Sequence, residues 1–189
     1  PYWCTVTDGT AATWSKILLA NDIPSITGAV QNLLSNGATV ETTSTTQVTL
    51  HTVTVAAGKL AADGDRLEVD ALLRYVSEIA ESSTIEINWG DQAALITELH
   101  GGGGTAQEVY VRLRITIIRL TATTQRLVWQ IAPAEVVAGA HTSQCGIVAG
   151  TQTLANPLDL DIAGLVSTTN ATANQVSCYY STVTYHKYA

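Results

Sequence analysis

Positive charge is scarce in this chain: Lys and Arg together number 9 against 16 Asp and Glu in 189 residues, giving a formal net charge of -7. An extended basic footprint for nucleic acid is therefore excluded. Cysteine is equally sparse. Cys4, Cys145 and Cys178 are too few and too widely spaced for a disulfide framework, and no CxxC or Cys/His pairing marks a zinc site. An odd count without an export signal points to reduced thiols and folding in a cytosol. Long apolar runs are missing as well, so no membrane insertion is expected.

The motifs of catalysis are also lacking. The chain has no GxSxG elbow, no HExxH and no Cys beside a basic residue. His51, His100, His141 and His186 share no metal-ligand spacing. The run Gly101 to Gly104 lacks the Lys-Ser/Thr of a phosphate-binding loop and does not open a helix. Asp63, Asp65 and Glu68 lie in or beside a Gly-rich turn, where acids act as turn formers more often than as an acid/base pair. Asp159 and Asp161 share one face if extended but lack the acidic density of a calcium loop. The sequence thus predicts no catalytic residue, no metal and no cofactor.

What the chain does contain is β-pattern. Thr is abundant and Val and Ile are plentiful, a composition that favours strands. Leu67, Val69, Ala71, Leu73 and Tyr75 alternate with Glu68, Asp70, Leu72 and Arg74 at the period of two of a half-buried strand. A second strand precedes it from Gln47, and the connection holding Gly58, Leu60 and Gly64 is too long for a tight hairpin, which predicts a crossing between sheets. Glu108 to Leu120 is the most regular segment, with Val109, Val111, Leu113, Ile115 and Ile117 inward and Tyr110, Arg112, Arg114, Thr116 and Ile118 outward. Each buried aliphatic contributes about 1.5–3 kcal/mol relative to exposure. Gln125 to Ile131 returns antiparallel after a Thr-rich turn. Residues 133–150 read as loose, and 175–188 as a final strand with aromatics on both faces, one of them suited to a neighbouring subunit. Arg on outward strand positions marks a solvated face or an intersubunit ion pair.

The N-terminal 40 residues read differently. Trp3 and Trp14 flank an Asp8-Gly9 turn in a small hairpin or cap, and residues 17–37 carry the one helical pattern. Ile23, Ile26, Val30 and Leu33 are spaced three, four, three, as in a coiled-coil seam. Such a helix either packs on its own domain or forms a short trimeric neck. The Thr-rich link at 40–46 then divides the chain into a cap and neck (1–40) and a β-sandwich head (41–189).

The aromatic start, the segment LLANDIPSITGAVQNLLSNG, the Thr-rich link and TLHTVTVAAGKLAADGDRLEVDALLRY together resemble the neck-plus-head regions of bacteriophage tail fibres and related head fibres. The resemblance is carried by Leu50, Thr54, Val55, Ala57, Gly58, Leu60, Ala61, Gly64, Asp65 and Leu67 at the opening of the head. It implies an all-β, jelly-roll-like antiparallel sandwich behind a short helical neck, a homotrimer, and a place in a virion assembled in the host cytoplasm beside other virion proteins. It transfers no catalytic residue. The function it implies is host attachment through a surface glycan or protein. Capsid decoration (or a head fibre) and polysaccharide cleavage stand as alternatives. Irregular polar loops are where a rigid scaffold carries recognition, which nominates Gly101, Gly102, Gly103, Gly104 and Thr105, and His141, Thr142, Ser143 and Gln144, as contact residues.

Overall fold

A computed structural model of the chain describes residues 2–7, 11–16, 30–79, 81–101, 105–139, 143–168 and 174–188. Its described elements are strands: β1 (Tyr2–Thr7), β2 (Ala11–Lys16), β3 (Val30–Asn36), β4 (Val40–Thr42), β5 (Val48–Val55), β6 (Arg66–Ser77), β7 (Ser82–Trp89), β8 (Gln92–Gly101), β9 (Gln107–Thr121), β10 (Thr124–Ala138), β11 (Gln144–Gly150), β12 (Leu158–Val166) and β13 (Gln175–His186). The molecule is all-β, and every pairing is antiparallel.

Two sheets form the sandwich. The larger has seven strands in the order β11-β10-β9-β6-β13-β3, with β4 also on β13, and the smaller runs β5-β12-β7-β8. Setting β4-β13-β6-β9 against β5-β12-β7-β8 gives the strand order of a jelly roll, extended at the β9 edge by the β10–β11 hairpin. The predicted crossing after β5 is present, since β5 lies in the small sheet and β6 in the large one. Leu60, inside that connection, is buried in the core. β1 pairs with β2 in a separate hairpin that places Cys4 opposite Trp14.

The core follows from strand alternation. Leu67, Val69, Ala71, Leu73 and Tyr75 on β6 and Val109 to Ile117 at alternate positions on β9 are buried, facing Ile85, Ile87 and Trp89 on β7 and Leu160 and Ile162 on β12. A buried polar clasp closes one side of it. Trp89 Nε1 donates to Gln125 Oε1 at 3.2 Å, the Gln152 amide donates to the same oxygen at 3.0 Å, and Gln125 Nε2 donates to the Gln152 carbonyl at 2.9 Å. Each buried amide group of Gln125 is thereby satisfied, which a core position requires.

The expected helical neck is corrected where it can be examined. Ile23 and Ile26 lie outside the described residues, but Val30 and Leu33 sit on β3, paired with β13 from Val30↔His186 to Asn36↔Ser181. Val30 is exposed and Leu33 packs against the core. A pattern of less than two heptads cannot hold a helix by itself, and β13 offers these residues a ladder of backbone partners. Residues 133–150 are also more regular than expected. β10 runs through Pro133 to Ala138, and β11 pairs with it only as far as Ile131, so Pro133 falls where β10 is a sheet edge and its missing N–H costs no ladder bond on that side.

Candidate functional site

Two regions of the sandwich carry exposed chemistry: one end of it, and the outer face of the large sheet.

At the end, the register fixes which connections meet. Gln107 pairs with Ser77, Glu108 with Val76 and Ala138, Gly101 with Ser82, and Gln175 with Val76. The β6–β7, β8–β9, β10–β11 and β12–β13 connections therefore share one end. Gly139 has φ of 82° and lies so close to the β8–β9 connection that a Cβ on it would come within 2.7 Å of Gln107 Cγ and 3.0 Å of the Ala106 carbonyl. Only glycine adopts that conformation and that approach without strain. Described residues flanking the two predicted contact loops are thus brought together at Ala106, Gln107 and Gly139. Gly101 closes β8, Thr105 is in an exposed turn, Ser143 is exposed, and Gln144 opens β11 opposite Ile131. Gly102, Gly103, Gly104, His141 and Thr142 lie outside the described residues.

The opposite end is tied by the backbone. Gly58 donates to the Leu154 carbonyl, Leu154 to Ala122, Gly64 to Arg119, Arg119 to Asp65, and Gly90 to Asp159, all at 2.8–3.1 Å. Asp65 adds a side-chain knot: its Oδ2 accepts from the amides of Ala61 (2.9 Å) and Ala62 (2.8 Å), and its Oδ1 from that of Tyr188 (2.8 Å). Burial by itself would raise the Asp65 pKa, but these amides and the Tyr185 hydroxyl together outweigh it and hold the carboxyl below its ordinary value. The three acids weighed as an acid/base set have separate duties. Asp65 holds this turn, Asp63 pairs with Arg119 at 3.0 Å, and Glu68 pairs with Arg66 at 3.2 Å.

The outer face of the large sheet is built by β6, β9, β10 and β13. Asp70 on β6 accepts a two-pronged contact from Arg112 on β9, with Nε 2.9 Å from both carboxylate oxygens and a terminal nitrogen 2.5 Å from Oδ2. Arg114 approaches the same carboxylate only to 3.5 Å. Arg74 pairs with Glu108 at 2.7 Å, its guanidinium 5.9 Å from the Tyr110 ring centre. A bulge in β13 between Cys178 and Tyr180 shifts the alternation by one residue, so Tyr179 and Tyr180 both stand on this face. Tyr179 lies 5.6 Å from Tyr110, centre to centre, and the Tyr180 hydroxyl is 3.3 Å from Asp70 Oδ1. Sequence alternation alone missed this arrangement, because a period of two has no term for an inserted residue.

Two features suggestive of chemistry have structural roles. His51 is buried, its Nδ1 2.8 Å from Ser181 Oγ and 3.4 Å from Cys178 Sγ, while Nε2 is 2.9 Å from the Ala38 carbonyl. A carbonyl only accepts, so Nε2 carries the proton and Nδ1 accepts from the serine hydroxyl. Burial pushes the Cys178 thiol up to about 12, which keeps it protonated and without nucleophilic character. Asp159 and Asp161 do share one face, on the outside of the small sheet, and each accepts from a cross-strand threonine hydroxyl, Thr54 and Thr52, at 2.6 Å. Among the described residues no group of three or more His, Cys, Asp or Glu could hold a metal ion.

Comparison with known proteins places this architecture among distant likenesses. No family model and no curated protein matches the chain. Among solved structures, the CBM2 module of the evolved Dit of Lactobacillus casei BL23 phage J-1 is similar over 87% of this chain and 99% of its own, at 6% identity and a TM-score of 0.46. The structure of infectious bursal disease virus Gx strain is similar over 97% of this chain and 36% of its own, at 10% identity and a TM-score of 0.31. Neither overlap is close enough to carry an argument about what this chain does.

Proposed function

We propose that the chain is a non-catalytic module of a phage virion, of tail-fibre type, whose sandwich attaches to a host-surface glycan or protein. The reading joins the sequence resemblance to one observation of geometry: two separate connections approach each other at one end of the sandwich. The opposite end is tied by five backbone hydrogen bonds, two between connections and three between a connection and a strand end, and by the Asp65 knot. At the first end, Ser167 donates to the Ser82 carbonyl and Glu78 to the Asn174 side chain, while Ala106 and Gln107 approach Gly139 from a separate connection. A rigid scaffold with one pinned end can vary its other end without losing its fold. Three copies in one appendage would add avidity to a weak single site, which fits a surface with shallow rather than enclosed recesses.

The test is binding of the purified chain to a panel of bacterial capsular and lipopolysaccharide preparations and intact cells. A second protein carries residues 101–106 and 139–144 replaced by Gly-Ser links. The expected result is binding to a subset of the panel that falls at least about tenfold, or about 1.4 kcal/mol, on replacement. Equal binding by both proteins removes the loops from the function.

A further inference from the structure

The chain is acidic, yet its arginines are gathered on one surface. Of the six, Arg66, Arg74, Arg112, Arg114 and Arg126 occupy outward positions of β6, β9 and β10 on the large sheet, and Arg119 alone lies in the pinned turn region. The carboxylates there do not neutralise them evenly. Glu108 is taken by Arg74, Glu68 by Arg66, and Asp70 by the two-pronged grip of Arg112. Arg114 is only loosely held: it reaches the already engaged Asp70 at 3.5 Å, and its side chain is 57% exposed, while Arg126, farther along β10, has no ion pair among the described residues.

Arg114 also stands where the surface is hollowed. Three shallow depressions adjoin it: one of 430 Å³ floored by Glu68, Asp70, Thr116, Thr182 and Thr184, one of 320 Å³ towards Gln130 and Pro133, and one of 450 Å³ towards Val128 and Cys145. The first sets Glu68 and Asp70 beside threonine hydroxyls, whereas the other two have no carboxylate in their lining and offer the Gln130 amide, which can both give and take hydrogen bonds. Along β9 the face then passes Arg112 and reaches the Tyr110–Tyr179 ring pair. At about 3.3 Å per residue the four positions from Arg114 to Tyr110 span on the order of 13 Å, the extent of a short oligosaccharide.

We propose that this face is a second binding site, separate from the loop end, for an acidic saccharide: Arg114 holds its carboxylate or sulfate, the threonine hydroxyls and Gln130 meet its hydroxyls, and the Tyr110–Tyr179 pair covers an apolar sugar face. The planar guanidinium fork matches a carboxylate or sulfate in two-point contact. A loosely held arginine at the centre of the face, in a chain of net charge -7, suits a ligand of sparse negative charge and disfavours a dense polyanion such as nucleic acid. An open floor lined by hydroxyls suits a sugar better than an apolar peptide, which would leave those groups unpaired.

Calorimetry on the whole chain with digalacturonate and with singly sulfated lactose tests the site, with maltohexaose as the neutral control and polyglutamate as a charge-only control. Binding of at least one acidic saccharide is expected, with neither control bound comparably. Arg114→Ala should weaken it about tenfold or more, Arg114→Lys should weaken it less, and Tyr110→Ala should weaken it several-fold, with the Arg114 variants melting as the parent does. The loop-replaced protein should bind these probes like the parent, so a failure of the loop reading and a failure of this one are separable. The proposal is overturned if neither acidic saccharide binds, if Arg114→Ala binds as tightly as the parent, or if polyglutamate matches the saccharides.

Discussion

Asp65 shows how a single residue can be read correctly in kind and missed in weight. The sequence places it in a turn, and it is there, but its carboxylate also fastens the C-terminal Tyr188 to the turn. Gly64, with φ of 92°, brings its Cα under the Tyr188 ring, where a Cβ would lie 2.8 Å from the ring carbon. Because the folded-state pKa is depressed, the stability Asp65 supplies is complete above its unfolded pKa of about 3.9 and is lost as pH falls through the lower folded value. Asp65→Asn should therefore cost about 1.5–3 kcal/mol at pH 7, the range for hydrogen bonds to a charged group. The gap to the parent should close at acid pH. Denaturant melts at a series of pH values measure this, and a gap that stays constant would mean the charge is not what holds the knot.

At the level of elements, legibility tracked regularity. β6 and β9 were visible residue by residue because one face of each is fully buried and the alternation is unbroken. β13 was located but its faces were not, since the bulge at Tyr179 hands the inward positions to Ser181, Val183 and Tyr185. β11 escaped notice because its inward positions include Gly146 and Gly150, small residues that give no apolar beat. In the structure Gly146 is small for a reason: a Cβ there would meet the Trp129 indole at 2.8 Å. β3 shows local pattern yielding to tertiary pairing, for Val30 and Leu33 keep helix-like spacing while β13 supplies the hydrogen bonds. As the edge strand of its sheet, β3 should show amide hydrogen exchange that alternates between protected and fast positions across Val30–Asn36. Uniform protection over that stretch would restore the helix.

The whole molecule divides its labour between a core, a pinned end, an open end and a charged face. The sandwich class could be read from strand periodicity, because two sheets with one buried face each must pack together. Which loops would meet could not be read, since that depends on register between β6, β9 and β10, where Gln107 pairs with Ser77 and Glu108 with Ala138 from distant parts of the sequence. The gathering of arginines on one face was half legible: outward Arg positions on β9 were evident, but not that Arg112 would grip Asp70 by two prongs and leave Arg114 at 3.5 Å from it.

The proposed attachment role stands or falls on where a bound host component touches. Hydrogen exchange of the whole chain, with and without the bacterial polysaccharide that it binds in the panel, locates that contact directly. Slowed exchange concentrated at 105–107, 139 and 143–144 is the expected result. Slowing confined to the pinned end, at 58–65 and 151–157, or to the outside of the small sheet around Asp159 and Asp161, would contradict the assignment of the open end as the recognition surface.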